Sequence, residues 1–271
     1  MIYINMFSFF ISLILSYIGL PMINKMLINS NTLCENYKGE KIPMSLGLLF
    51  VFVQSITINL IRIGFNLTGN ITDLYLYSYI FMGLVGLLDD LIGDKKVKGL
   101  KGHIKSFFKG TLTTGAIKAG IGFFISLYIS ILISKDIWEI LVNTFVIALF
   151  TNLINLFDLR PGRAIKVFII ISLIFVFTNI NKNYNYIIYS LYGLILPYMS
   201  LDFKAKAMMG DVGSNIIGLT LGIVCAVTYS FIGKLIILFL LIGIHILAEK
   251  ISFSKVIDKN PILKYIDSIG R

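Results

Sequence analysis

Cysteine, histidine and charge are all scarce in this chain, with 2 cysteines, 2 histidines and a charged fraction of 14%. Cys34 and Cys225 stand in no metal-binding or redox spacing, which excludes a thiol-based centre and leaves them as packing residues. The histidines form no cluster. His103 falls in a loop, and His245 near the end of an apolar run is expected to pack rather than catalyse. The first apolar run has neither a basic n-region nor a small-residue cleavage site, so it is expected to be a retained helix and not a signal peptide. A hydrophobic fraction of 57% and a mean hydropathy of +0.87 exclude an ordinary soluble domain.

What is abundant is apolar sequence in runs of about 20 residues, the length needed to cross bilayer hydrocarbon. These runs fall at 4–22, 44–61, 72–92, 113–134, 137–157, 164–180, 184–201, 213–230 and 232–249. The expectation is an all-α, polytopic membrane protein of about nine transmembrane helices. The spans consume nearly the whole chain, so residues 1–271 read as a single integral-membrane domain with an amphipathic cytoplasmic tail at 250–271. Of the 24 lysines and arginines, all but Arg62, Lys118, Lys135, Lys182 and Lys234 fall on one set of alternating loops and the tail. By the positive-inside rule that side is cytoplasmic, which puts the amino terminus outside and the carboxyl terminus inside. The net charge of +10 then faces anionic membrane lipid and requires no nucleic acid.

Acid is scarce on the expected outer side, which has little beyond Asp73, Asp136 and Glu139. The other carboxylates gather on the expected cytoplasmic side, together with Asn152, Asn155 and Asn215. The run from Gly86 to Asp94 brings Asp89, Asp90 and Asp94 to the end of the third span, where carboxylates at the edge of hydrocarbon call for a cationic partner. A divalent metal is the obvious one. Asn152, Asn155 and Asp158 recur every third residue at the end of the fifth span and form a drifting polar stripe that can bind metal, sugar or base. Pro161 and Gly162 then stop the helix between Arg160 and Arg163, two guanidiniums suited to phosphate, although either one alone also satisfies the positive-inside rule. Gly210, Asp211, Gly213, Ser214 and Asn215 open the eighth span, where glycines permit close backbone approach and free amides favour an anion. Lys118 lies about one turn inside the fourth span, where it either snorkels to the surface or reaches a phosphate within the bundle, the second being favoured because snorkelling is easier closer to a helix end. Between Asp94 and Leu112, apolar residues alternate at helical spacing with Lys101, Lys105 and Lys109, the pattern of a surface-lying amphipathic helix.

In this order, Asn36 to Gly39 with Ile42 and Pro43, Gly86 to Asp90, Asn152 to Asp158, and Gly210 to Ser214 resemble the polyprenyl-phosphate sugar-1-phosphate transferases of glycosyltransferase family 4. That family includes phospho-N-acetylmuramoyl-pentapeptide and N-acetylglucosamine-1-phosphate transferases. The resemblance implies that a polyprenyl phosphate such as undecaprenyl phosphate attacks a UDP-activated amino sugar. The products are a lipid-linked pyrophosphoryl sugar and UMP, made at the cytoplasmic face of the cell membrane for envelope polymers. It implies magnesium, with manganese as a substitute, bound by Asp211 and Asp90. Asp89, Asp90 and Asp211 are the implied catalytic groups. Lys118, Asn152, Asn155, Asp158, Arg160, Arg163, Gly210 and Ser214 are the expected substrate contacts, and a homodimer is left open. Pro161 and the arginines stand where peptidoglycan-precursor enzymes carry glycines and a second aspartate, Met208 stands where an aromatic is common, and the late histidine cluster is reduced to His245. Two other classes compete: a non-catalytic polyprenyl-phosphate binder and an intramembrane prenyltransferase, which would release pyrophosphate rather than a nucleoside monophosphate.

Overall fold

A computed structural model describes residues 1–67, 69–93, 102, 106, 109–178 and 180–270. Asp94, His103 and most of the expected amphipathic segment at 94–112 lie outside the described residues. The helices are α1 (Ile2–Asn29), α2 (Leu48–Gly64), α3 (Asn70–Ile92), α4 (Thr114–Ile133), α5 (Ile137–Phe157), α6 (Arg163–Thr178), α7 (Asn185–Asp202), α8 (Gly210–Thr228), α9 (Phe231–Lys250), α10 (Phe253–Lys259) and α11 (Pro261–Ser268). Each predicted apolar run falls on one of the helices α1 to α9. Among the described residues, six helices are long and apolar enough to cross a membrane: α1, α3, α4, α5, α8 and α9. The other three are shorter or more polar, so helix length supports a multi-pass membrane protein but does not by itself supply nine crossings.

One element departs from the helical expectation. Strands β1 (Leu33–Glu35) and β2 (Lys41–Pro43) pair antiparallel with Cys34 opposite Ile42. Their turn is fixed by Asn36, whose Oδ1 accepts from the backbone N–H of Lys38 at 2.8 Å and of Glu40 at 3.1 Å, while Gly39 takes φ +79°. An asparagine side chain that imitates a backbone turn and a glycine free to adopt positive φ are the usual ingredients of such a connection. The two strands are too short for hydrophobic alternation to reveal them.

Helix α8 is the axis of the bundle. From Val212 to Thr228 every residue except Val227 is buried, and the helix packs against α3 and α5. Lipid tails offer no hydrophobic drive for helix association, so small residues that let backbones meet become decisive. A Cβ on Gly218 would come within 2.4 Å of the Phe150 carbonyl oxygen, and one on Gly222 within 2.6 Å of the Ile147 Cα, both on α5. A Cβ on Gly86 of α3 would come within 2.6 Å of the Asp211 carbonyl oxygen. A second seam joins α1 to α7, where a Cβ on Gly193 would meet the Phe9 carbonyl oxygen at 2.1 Å and Ser16 Oγ donates to the Leu194 carbonyl at 2.8 Å. The opposite faces remain apolar and open. On α9, Ile232 and Phe239 are each 70% exposed, as lipid-facing residues should be.

Gly222→Leu is therefore expected to force α5 and α8 apart and to cost about 1–3 kcal/mol of stability, as overpacking does. Thermal unfolding in detergent should show a lowered midpoint, whereas a matched change at the lipid-facing Phe239, Phe239→Leu, should leave it nearly unchanged.

Candidate active site

The site forms where α3 ends and α4 and α8 begin. Asp89 and Asp90 occupy the last turn of α3, and Asp211 is the second residue of α8. Thr113 caps α4 by accepting from the Ala116 N–H at 3.2 Å, and this starts the helix so that Lys118 lies just over one turn in. The Lys118 ammonium bonds Asp89 Oδ2 at 2.7 Å and also pairs with Asp211 Oδ2. One cation thus stands between two carboxylates from different helices. All three side chains are a quarter exposed or less, the Lys118 side chain 17%. In such surroundings an unpaired charge is costly, and removing one partner leaves the other uncompensated.

Asp90 faces a different partner. It accepts from Ser45 Oγ at 2.8 Å, from the Asp211 N–H at 2.9 Å and from the Val212 N–H at 3.4 Å. Met209, the N-cap position of α8, supplies no side-chain cap, so Asp90 caps the helix from across the site. The sequence placed an anion at these amides, and the structure fills that place with the protein's own carboxylate. Gly210 makes the approach feasible: its φ is +67°, and a Cβ there would lie 2.2 Å from Asp90 Oδ2. Ser45, at φ +65°, and Gly47, where a Cβ would meet the Gly213 nitrogen at 2.2 Å, press the segment after β2 against the same helix start. Backbone bonds from Leu46 to the Met208 carbonyl and from Gly47 to the Met209 carbonyl hold it there. Sequence reasoning missed Ser45 and Gly47. Their only signal was proximity to Ile42 and Pro43.

The remaining expected contacts divide. Asn155 and Ser214 meet, with Ser214 Oγ donating to Asn155 Oδ1 at 3.4 Å, so Ser214 is a buried packing partner of the polar stripe. Asn152 is exposed and Asp158, at the C-cap of α5, is half-buried. Arg160 lies over the Tyr37 ring, 5.5 Å from its centroid, and so joins the loop after α5 to the β-turn. Arg163 is turned away from the site. It forms a bidentate pair with Asp267 at 2.9 and 3.0 Å and donates to Ser254 at 2.9 Å. Among the described residues no group of three or more His, Cys, Asp or Glu is disposed to hold a metal ion. Magnesium, however, is commonly held by one or two carboxylates, with water and substrate phosphates completing its shell. Asp211 and Asp89, linked through Lys118, fit that requirement in donor chemistry, whereas Asp90, expected as a ligand, has both oxygens committed to Ser45 and α8.

These features define a multi-pass membrane protein with an acid–lysine–acid centre at one end of its helices. Residues 73–229, which carry Asp89, Lys118, Asn155 and Asp211, match the model of glycosyl transferase family 4. The chain is 30% identical over 263 residues to the phospho-N-acetylmuramoyl-pentapeptide-transferase of Clostridium perfringens (strain SM101 / Type A), covering 90% of this chain and 78% of that protein. It is 27% identical over 226 residues to the protein of the same name from Clostridium botulinum (strain Alaska E43 / Type E3), covering 78% and 68%. The chain belongs to glycosyl transferase family 4.

Asp158 supplies a test of the site's electrostatics. Burial, and then the carboxylates of Asp202, Asp211 and Asp90, push its carboxyl well above the usual carboxylate range. A raised native value means that the folded state holds the proton where the unfolded chain has released it, so the ionised form is penalised as pH rises. Asp158→Asn removes that titration. Without divalent metal, its melting temperature should exceed that of the unmodified protein at mildly alkaline pH, and the gain should shrink at mildly acidic pH.

Proposed function

We propose that this protein transfers a sugar-1-phosphate from a UDP-activated amino sugar to a polyprenyl phosphate. The products would be a polyprenyl-diphospho-sugar and UMP, formed at the cytoplasmic face of the cell membrane for envelope-polymer synthesis. The observation that carries this reading is the convergence of Asp89, Lys118 and Asp211 from three helices onto one polar centre in a family 4 chain. The relatives named as phospho-N-acetylmuramoyl-pentapeptide-transferases support the choice of an amino-sugar phosphate. In the reaction an oxygen of the lipid phosphate attacks the sugar-bearing phosphorus of the donor, and the phosphorus–oxygen bond to UMP breaks. A phosphate monoester is largely ionised near neutrality, so the attacking group requires little help from a base. Catalysis then rests on positioning and on compensation of charge.

Each residue takes a role under this reading. Asp211 and Asp89 would hold magnesium, or manganese in its place, which supplies positive charge to the phosphates. Lys118 compensates both carboxylates and offers its ammonium to an incoming phosphate. Asp90 holds the start of α8, and with it Asp211, in register with α3. Asn152, Asn155 and Asp158 face the nucleotide sugar, and Arg160, steadied on Tyr37, is the guanidinium available to the donor phosphates. The charge asymmetry of the loops supports nine crossings with the amino terminus outside, and it also suits contact with anionic lipid.

The test is nucleoside-monophosphate release by the purified protein with undecaprenyl phosphate, magnesium and a panel of nucleotide sugars. UMP should appear only when lipid, donor and metal are all present, and chelation of the metal should abolish it. Asp211→Asn and Asp89→Asn should each lower turnover by at least about 10²-fold, the order seen when one electrostatic group of a preorganised site is lost, with folded protein retained. Full turnover by either variant would remove its assigned role, and release of pyrophosphate instead of UMP would identify a prenyltransferase. Arg160→Ala should raise the KM for the donor without altering that for the lipid. An unchanged donor KM would leave Arg160 as a topological charge alone.

A further inference from the structure

Beyond the segment matched by the family model, the chain continues past α9 into two short helices. Asn260 Oδ1 caps α11 by accepting from the N–H groups of Ile262 at 3.0 Å and Leu263 at 3.1 Å, and Pro261 begins the helix. The pair folds back onto the residues around the end of α5 and the start of α6. One guanidinium holds both tail helices: Arg163 Nε and Nη2 pair with Asp267 of α11, while Nη1 donates to Ser254 of α10. Arg163 is 4% exposed and Asp267 9%, so the pair is withdrawn from solvent. Lys166 Nζ donates to the carbonyls of Ile266 at 3.0 Å and Asp267 at 2.7 Å, which satisfies acceptors at the end of α11. The Phe253 ring stacks on Phe157 with centroids 5.1 Å apart and planes 2° apart. The Phe203 ring is gripped between two glycines, since a Cβ on Gly162 would lie 2.7 Å from it and one on Gly270 2.3 Å. Gly162 also donates its N–H to Asp202 at 2.9 Å.

These contacts bracket Asp158 and Arg160. Phe157 immediately precedes Asp158, and Gly162 and Arg163 close the turn that carries Arg160. Helix α5 alone does not fix that turn, because the helix has ended and Pro161 and Gly162 prevent its continuation. We propose that the α10–α11 hairpin is a clasp that fixes the Asp158–Arg163 turn at the donor side of the site, with Arg163 and Asp267 as its positioning residues. Arg163 acts through the turn and does not touch the donor. A bidentate, planar pairing suits this purpose, since it sets an angle as well as a distance, and a lysine at the same place cannot reproduce it.

The inference rests on the proposed transferase reading, and its test is arranged so that the two fail separately. In the full-length protein, Asp267→Asn and Arg163→Lys should each raise the KM for the nucleotide sugar by about ten- to a hundredfold, the scale of a small misplacement. The KM for the lipid phosphate should stay within about twofold, well inside that scale. The double variant should be no worse than the more affected single variant, because both act through one contact. Hydrogen exchange, read on the same variants without substrate, should quicken at the amides of residues 159–164 together with those of 253–268. If the unmodified protein turns over no nucleotide sugar, the transferase reading fails while the exchange measurement still judges the clasp. The clasp is overturned if both KM values and kcat change in parallel, or if exchange quickens in the tail but not in residues 159–164. Either result would make the hairpin a structural cover only.

Discussion

The protein depends on how three carboxylates are partnered at the end of apolar helices. Two arrangements accomplish this. Asp90 meets the amide end of α8 and the Ser45 hydroxyl, while Asp89 and Asp211 share the ammonium of Lys118. Placing unpaired ions at the edge of hydrocarbon is costly enough that these pairings also select how α3, α4 and α8 meet. The same contacts therefore hold the bundle together and build its polar centre. Any substrate that reaches the centre must exchange with bonds already made there, which suits a phosphate that brings its own negative charge and a divalent ion.

Close backbone contact makes those pairings attainable. Asp90 can cap α8 only because Gly210 leaves room and adopts positive φ, and because Gly86 lets α3 run against the Asp211 carbonyl. Farther along α8, Gly218 and Gly222 admit α5, which carries Asn155 toward Ser214. The glycines thus transmit a packing decision to the site: a helix held one methyl group farther away would move a carboxylate or amide out of hydrogen-bonding range. The hairpin of β1 and β2 adds a brace, since its exit segment is bonded to Met208 and Met209 just before α8 begins.

Much of this was legible in the sequence. Asp89, Lys118 and Asp211 were chosen for their residue type and position, and they do converge. The apolar runs located the helices, because crossing hydrocarbon and satisfying every backbone bond leaves helix as the only local solution, although α1 continues well past its expected end at residue 22 to Asn29. Asp90 and Arg163 show where that reasoning stops. Asp90 was expected as a metal ligand from the family resemblance and Arg163 as a phosphate contact from its residue type, and both have protein partners that lie far away in the chain: residue 90 on residue 211, and residue 163 on residue 267. Ser45, Gly47 and Asp267 had no local pattern to mark them, since a serine, a glycine or a tail aspartate is ordinary until its neighbour is known.

The sequence by itself determined the solvent of this protein, the identity of its helices, its family resemblance and the set of polar residues gathered toward one end. Those follow from hydropathy, charge asymmetry and motif order, which are properties of single residues and short spacings. Only the tertiary structure decided which carboxylate meets the lysine, which caps a helix, and that the tail returns to grip the turn beyond α5. Those outcomes depend on which helices can approach closely enough for their charges to pair, and that distance is set by contacts between residues far apart in the chain.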